Sequence, residues 1–228
     1  MGKTSQEFRP LRYRKRWFCY LDLLGFTNLV NDQNIQEVIP IYQKALSKLE
    51  QSASNKKSLG VIHSWFSDTF IIYSKNDNEE DFAHVEQASR LFFQGLILNK
   101  IPVRGALTHG ALYSRSAKNI FVGPALVDAY NYAEQQNWLG FILTPTVVER
   151  LKNSSIPINQ RAFYRLVTEP GIIKQEPTQP VYAYAFNNGE INGKSPYLNA
   201  LRSMRDLAPE SAKIKYENTI KFAQQHHR

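Results

Sequence analysis

A carboxylate set in the middle of a dense apolar run, WFCYLDLLGF from Trp17 to Phe26, restricts this chain more than anything else in it. A run this apolar reads as a buried strand, and burying Asp22 there is costly unless the carboxylate is paired, hydrogen-bonded or bound to a metal. Asp68 sits in similar surroundings, between Trp65-Phe66 and Phe70-Ile71-Ile72, which also oppose its negative charge. Two aspartates on neighbouring strand ends of one sheet can share hard divalent cations such as Mg²⁺ or Mn²⁺, which prefer carboxylate, carbonyl and phosphate oxygens. The residues leave a second reading open, in which Asp22 pairs with a basic residue such as Arg104 and Asp68 caps a turn.

The rest of the chain alternates helical and hairpin patterns. Ile35, Val38, Ile39, Tyr42, Leu46 and Leu49 recur at helical spacing, so a helix is expected over about 34–51, followed by a polar loop. Leu59–Trp65 and Thr69–Tyr73 read as a hairpin around Ser67-Asp68, and Asp81–Leu98 as a second amphipathic helix. Val103–His109 and Ala111–Ser114 are expected to form another hairpin, turning at Gly110. Pro124 suits the first turn of a helix over 124–137. Short strands at 141–143, 163–167 and 181–186, with a helix at 145–151, complete the pattern. Helices alternating with hairpins predict an α+β fold, a ferredoxin-like, antiparallel-rich sheet with helices packed on it. Its parts are a basic arm (1–16), a main domain (17–187), and a linker with a helical, charged tail (188–228).

The apolar runs fall short of the roughly 18 uncharged residues that a membrane span needs, and the N-terminus has no apolar signal core. With the single cysteine, Cys19, unable to form an internal disulfide, this makes a soluble, cytoplasmic protein the expectation. The net charge of +8 could reflect a polyanionic partner, a nucleotide or a nucleic acid. Much of it lies near the termini, as in a solvated tail, so a nucleic-acid partner is not expected. His63 and His109 lack metal-ligand spacing, and neither a phosphate-binding Gly-x-x-x-x-Gly-Lys loop nor a Gly-x-Ser-x-Gly elbow occurs.

Four segments in order resemble class III nucleotidyl cyclases: YLDLLGFTNLV at 20–30, FSDTFIIYS at 66–74, VRGALTHGALY at 103–113 and FVGPALVDAYNYAE at 121–134. The resemblance implies that Asp22 and Asp68, helped by the Leu23 carbonyl, bind two Mg²⁺ or Mn²⁺ ions per site. It also implies that the amides of Gly25, Phe26 and Thr27 cradle the triphosphate of a ribonucleoside triphosphate. The ribose 3′-hydroxyl would then attack the α-phosphate, releasing pyrophosphate and a 3′,5′-cyclic nucleotide. Active sites of the family lie between two catalytic domains, so one domain per chain implies a homodimer.

The sequence also departs from the family. Ser64 and Ile120 stand where purine-specific cyclases carry base-reading Lys and Asp, and Trp65 and Phe66 crowd the same region. The short form is similar to the pyrimidine cyclases of Pycsar antiphage systems, which implies UTP or CTP as substrate and an antiviral second messenger, with cyclic UMP favoured. Ser64 and Arg104 are candidate base-side groups. Val127 and Asn131 occupy the positions of the family's helix Asn and Arg, so Arg115, Lys118 or Lys174 would have to stand in for the missing cation. Two other readings stay open: a cyclase-like module without catalysis, and a purine nucleotide cyclase.

Overall fold

The computed structural model describes residues 11–26, 30–31, 35–53, 59–186 and 195–226. Its centre is β1 (Arg14–Leu23), flanked by β3 (Thr69–Ser74) and β4 (Val103–Arg115), both antiparallel to it. Strand β2 (Val61–Phe66) forms the hairpin with β3, and β5 (Ile120–Val122) folds back on the far end of β4. Beyond β4 come β6 (Phe141–Leu143), running parallel to it, then β8 (Tyr182–Tyr184) and β7 (Tyr164–Leu166). The order across the eight-stranded sheet is β2-β3-β1-β4-β6-β8-β7, with β5 paired to β4 off that path. This is the α+β, antiparallel-rich sheet that the pattern predicts.

Strand alternation assigns the side chains of β1 to two cores. Trp17, Cys19, Leu21 and Leu23 point into the larger core, beneath α1 (Ile35–Ala53) and α2 (Glu79–Leu98). Burial pushes the Cys19 thiol up to about 12, so it stays protonated at neutral pH. Helix α2 starts where Asn78 accepts a hydrogen bond from the Asp81 amide at 2.7 Å, and Glu79, Glu80 and Asp81 complement its positive end.

Phe18 and Tyr20 point the other way, into a second core covered by α3 (Pro124–Glu134). This helix approaches closely because it faces the sheet with Ala125, Ala129 and Ala133, spaced four residues apart. The expected turn at Gly110 is absent: β4 runs straight through it. A Cβ at Gly110 would already touch that of Ala125 at 3.4 Å, so this glycine makes room for the helix. The chain reverses instead beyond the short 3₁₀ turn Ser116–Lys118, at Asn119, whose φ is 50°.

Helix α4 (Pro145–Arg150) follows β6, and α5 (Pro196–Leu207) and α6 (Glu210–His226) pack as a pair. α6 reaches both cores, with Tyr216, Ile220 and Ala223 in the larger and Phe222 in the smaller. No helix among the described residues is long and apolar enough to cross a membrane.

Candidate active site

The β2–β3 hairpin turns at Ser67 and Asp68, and Ser67 takes a left-handed φ of 53° to make so tight a reversal. The Leu23 amide donates to the Asp68 carbonyl at 3.1 Å. Asp22 faces Thr69 on one side and Arg104 on the other. Backbone register alone therefore brings Asp22 and Asp68 to adjacent positions at one end of the sheet.

Arg104 is the direct cross-strand neighbour of Asp22, and its Nε and Nη2 donate to Asp22 Oδ2 at 3.3 and 3.2 Å. The same guanidinium pairs with the Glu134 carboxylate and donates from Nη1 to the Glu134 carbonyl at 3.3 Å. Burial is the main cause that raises Asp22 to about 6; Arg104 opposes it, while the charges of Asp68 and Glu134 add to it. The Asp68 carboxylate makes no hydrogen bond or ion pair among the described residues.

This pair fits a divalent cation in its chemistry. Both aspartates offer hard oxygen donors, Asp22 contacts Arg104 through one oxygen only, and the Asp68 carboxylate has no hydrogen-bond or ion-pair partner among the described residues. Among the described residues no group of three or more His, Cys, Asp or Glu converges. A cation here would draw its remaining ligands from backbone carbonyl, water or substrate oxygens, as Mg²⁺ sites commonly do.

The other candidates separate. Gly25 has φ +77° with no described residue within 4 Å of where a Cβ would sit, which leaves its backbone open to a ligand on that side. Phe26 is half-buried with its ring 6.1 Å from Tyr42, and Thr27 lies outside the described residues. Ser64 shares the Asp22 face of the sheet but donates to Asn119 Oδ1 at 2.9 Å. Phe66 lies on that face too and is 79% exposed, whereas Trp65 points to the opposite face, its ring stacked near His63.

Asn131 is exposed on α3, one turn before Glu134. Arg115 is exposed at the opposite end of thirteen-residue β4 from Arg104, so within one chain it is remote from Asp22. Lys174 comes close: its ammonium donates to the Glu134 carbonyl at 3.1 Å. Sequence reasoning missed Glu134, the second carboxylate on Arg104; it closes the AYNYAE segment and no spacing rule marks it. It also missed Lys215 on α6, which lies within electrostatic range of Asp22, Arg104, Glu134 and Lys174.

No protein-family model and no curated protein matches the sequence. Solved structures do match, and they define the fold as that of class III nucleotidyl cyclase catalytic domains. The adenylyl cyclase CyaB from P. aeruginosa aligns over 82% of this chain and all of its own, with a TM-score of 0.56 and 9% identity. The guanylate cyclase domain of RhGC from Catenaria anguillulae, solved with GTP, aligns over 77% of this chain and 98% of its own (TM-score 0.56, 10% identity). A dimeric guanylyl cyclase domain of RhoGC from Blastocladiella emersonii aligns over 77% and 98% (TM-score 0.54, 10% identity).

Proposed function

We propose that this protein is a metal-dependent nucleotidyl cyclase that converts a pyrimidine ribonucleotide, UTP or CTP with UTP favoured, into its 3′,5′-cyclic monophosphate and pyrophosphate. The observation that carries the proposal is the placement of Asp22 and Asp68 together at one sheet end, on a cyclase fold. Asp22, Asp68 and the Leu23 carbonyl would hold divalent ions, which when bound acidify the 3′-hydroxyl and offset the charge of the leaving group. The open backbone at Gly25 and Phe26 would receive the triphosphate. Arg104 holds the Asp22 carboxylate in place through two hydrogen bonds. In the reaction the 3′-hydroxyl gives up its proton to water, its oxygen bonds to the α-phosphorus, the bond to the bridging oxygen breaks, and pyrophosphate departs with that electron pair.

Pyrimidine preference rests on Ser64 and Ile120 at the purine-reading positions, with Ser64 satisfied by Asn119 rather than free to read a large base. The resemblance to Pycsar cyclases supports a cyclic nucleotide messenger in antiviral defence, made in the cytoplasm. A homodimer is supported by the apolar side chains left exposed on the Asp22 side of the sheet: Phe66 at 79%, Val127 at 57% and Tyr130 at 47%.

A second reading is a nucleotide-binding module without turnover, favoured by the Arg104 guanidinium on Asp22 and by Val127 and Asn131 where the family carries Asn and Arg. One experiment separates them. The purified protein is incubated with each of the four ribonucleotides and Mn²⁺, beside Asp22→Ala and Asp68→Ala, and products are resolved by mass spectrometry. A cyclic pyrimidine nucleotide is expected, absent from both variants. A cyclic purine would overturn the base assignment, and no product from any nucleotide would favour the binding module.

A further inference from the structure

Three basic side chains from three parts of the chain meet around the C-terminal end of α3. Arg104 comes from β4, Lys174 from the loop before β8, and Lys215 from α6. Hydrogen bonds fix the approach of the first two, and the anchoring of α6 places the third. The Arg104 and Lys174 side chains both donate to the Glu134 carbonyl, at 3.3 and 3.1 Å. The Lys174 loop is tied to the same turn, its amide donating to Gln135 O at 2.8 Å while the Asn137 amide donates to Ile172 O at 2.8 Å.

α6 is anchored to the segment that follows. Asn218 donates to Asn137 O at 3.0 Å, the Leu139 amide donates to Thr219 Oγ1 at 2.8 Å, and Phe222 packs edge-on against Trp138 at 4.7 Å. Lys215 precedes these three residues by three, four and seven positions, so it lies on the same helix face. That face points Lys215 back toward Glu134.

The direct pairings leave the two lysines out. Arg104 pairs with both Asp22 and Glu134, while Asp68, beside Asp22, is paired with neither lysine. Among the described residues the Lys174 ammonium meets only a neutral carbonyl, and the Lys215 ammonium makes no ion pair or hydrogen bond, the Lys215 carbonyl accepting from Thr219 Oγ1 at 2.8 Å. Burial, followed by the charges of Arg104 and Lys174, lowers the affinity of Lys215 for its proton, against the opposing charges of Glu134 and Asp22. A half-buried ammonium, Lys215, and an exposed one, Lys174, thus lie within electrostatic range of each other and of Arg104 with no carboxylate directly paired to either.

We propose that Lys215, with Lys174, binds the pyrophosphoryl end of the substrate and the released pyrophosphate beside Asp22, so that α6 completes the active site from outside the cyclase-like domain. The assignment of the anion rests on the cyclase reading; the existence of an anion site does not. Each ammonium contributes charge-assisted hydrogen bonds to phosphate oxygens. Lys215 thereby supplies part of the positive charge that α3 lacks at Asn131.

The test is calorimetric titration of inorganic pyrophosphate into the full-length protein in metal-free buffer, with wild type, Lys215→Ala, Lys215→Arg and Lys213→Ala. Lys213 is the control, since it is paired with Glu210 on the outer side of α6. Lys215→Ala should weaken binding roughly tenfold, about 1.4 kcal/mol. Lys215→Arg should recover most of it, and Lys213→Ala should match wild type. Absence of binding by wild type, or equal binding by Lys215→Ala, overturns the proposal whether or not the protein cyclises a nucleotide. Binding that depends on Lys215 in a protein that forms no cyclic product leaves the anion site standing and overturns only its assignment to turnover. If the protein turns over, Lys215→Ala should also raise KM more than it lowers kcat; a fall in kcat alone would overturn the ground-state contact.

Discussion

Asp22 shows how strand register can place a charge that the surroundings disfavour. The apolar run around it correctly signals that the carboxylate must have a partner, and Arg104 directly across the strand pair is that partner. The sequence left Arg104 pairing and cation binding as alternatives, but Arg104 uses only one carboxylate oxygen, so the two are compatible. The raised value of about 6 has a sign that can be checked. An acid whose affinity for its proton rises on folding contributes stability below its unfolded value, near 4, and loses it as pH climbs to about 6. Without divalent cations, Asp22→Asn should match wild type in urea denaturation near pH 4 and exceed it above pH 6.5. The gap should be at most about 3 kcal/mol, two pKa units at 1.36 kcal/mol each. A gap that shrinks with rising pH would refute this account. Glu134 and Lys215 were illegible for a different reason: their roles come from contacts between distant segments, and neither stands in a motif.

At the scale of elements, apolar periodicity and turn residues found nearly every helix and strand, because those signals are local. Gly110 misled, since a glycine that turns the chain and one that admits a helix look alike in sequence. Its true function needs Ala125, fifteen positions on and packed against it. Gly123 is the contrasting case. It precedes Pro124 at the start of α3 with φ +148°, and an added Cβ would collide with the Ala111 carbonyl oxygen. Gly123→Ala should therefore destabilise the fold by more than about 2 kcal/mol, combining backbone strain with displacement of α3. Thermal unfolding will measure it, and a loss under about 0.5 kcal/mol would show that α3 shifts freely. Gly25→Ala meets no neighbour, so only its left-handed φ, worth roughly 1 kcal/mol, should register.

At the scale of the whole molecule, the sheet carries helices over both faces, yet Phe66, Val127 and Tyr130 remain open to solvent on its Asp22 side. If a second copy covers them, Val127→Glu should shift the protein toward monomer in sedimentation velocity and reduce turnover with little change in unfolding temperature. A monomeric wild type would remove the dimer from the proposal. The strand order has a further consequence in time. β1 is paired on one side with β3 and on the other with β4, so Asp22 acquires its neighbours Thr69 and Arg104 only when segments 47 and 82 residues away in the chain have closed onto it. Such non-local pairing is slow because loop closure comes before any stabilising contact. Helices α1 and α2 form from local contacts and can precede it. The two carboxylates are thus strangers through much of folding, and a chain already rich in helix has still to assemble the place where phosphate would be handled.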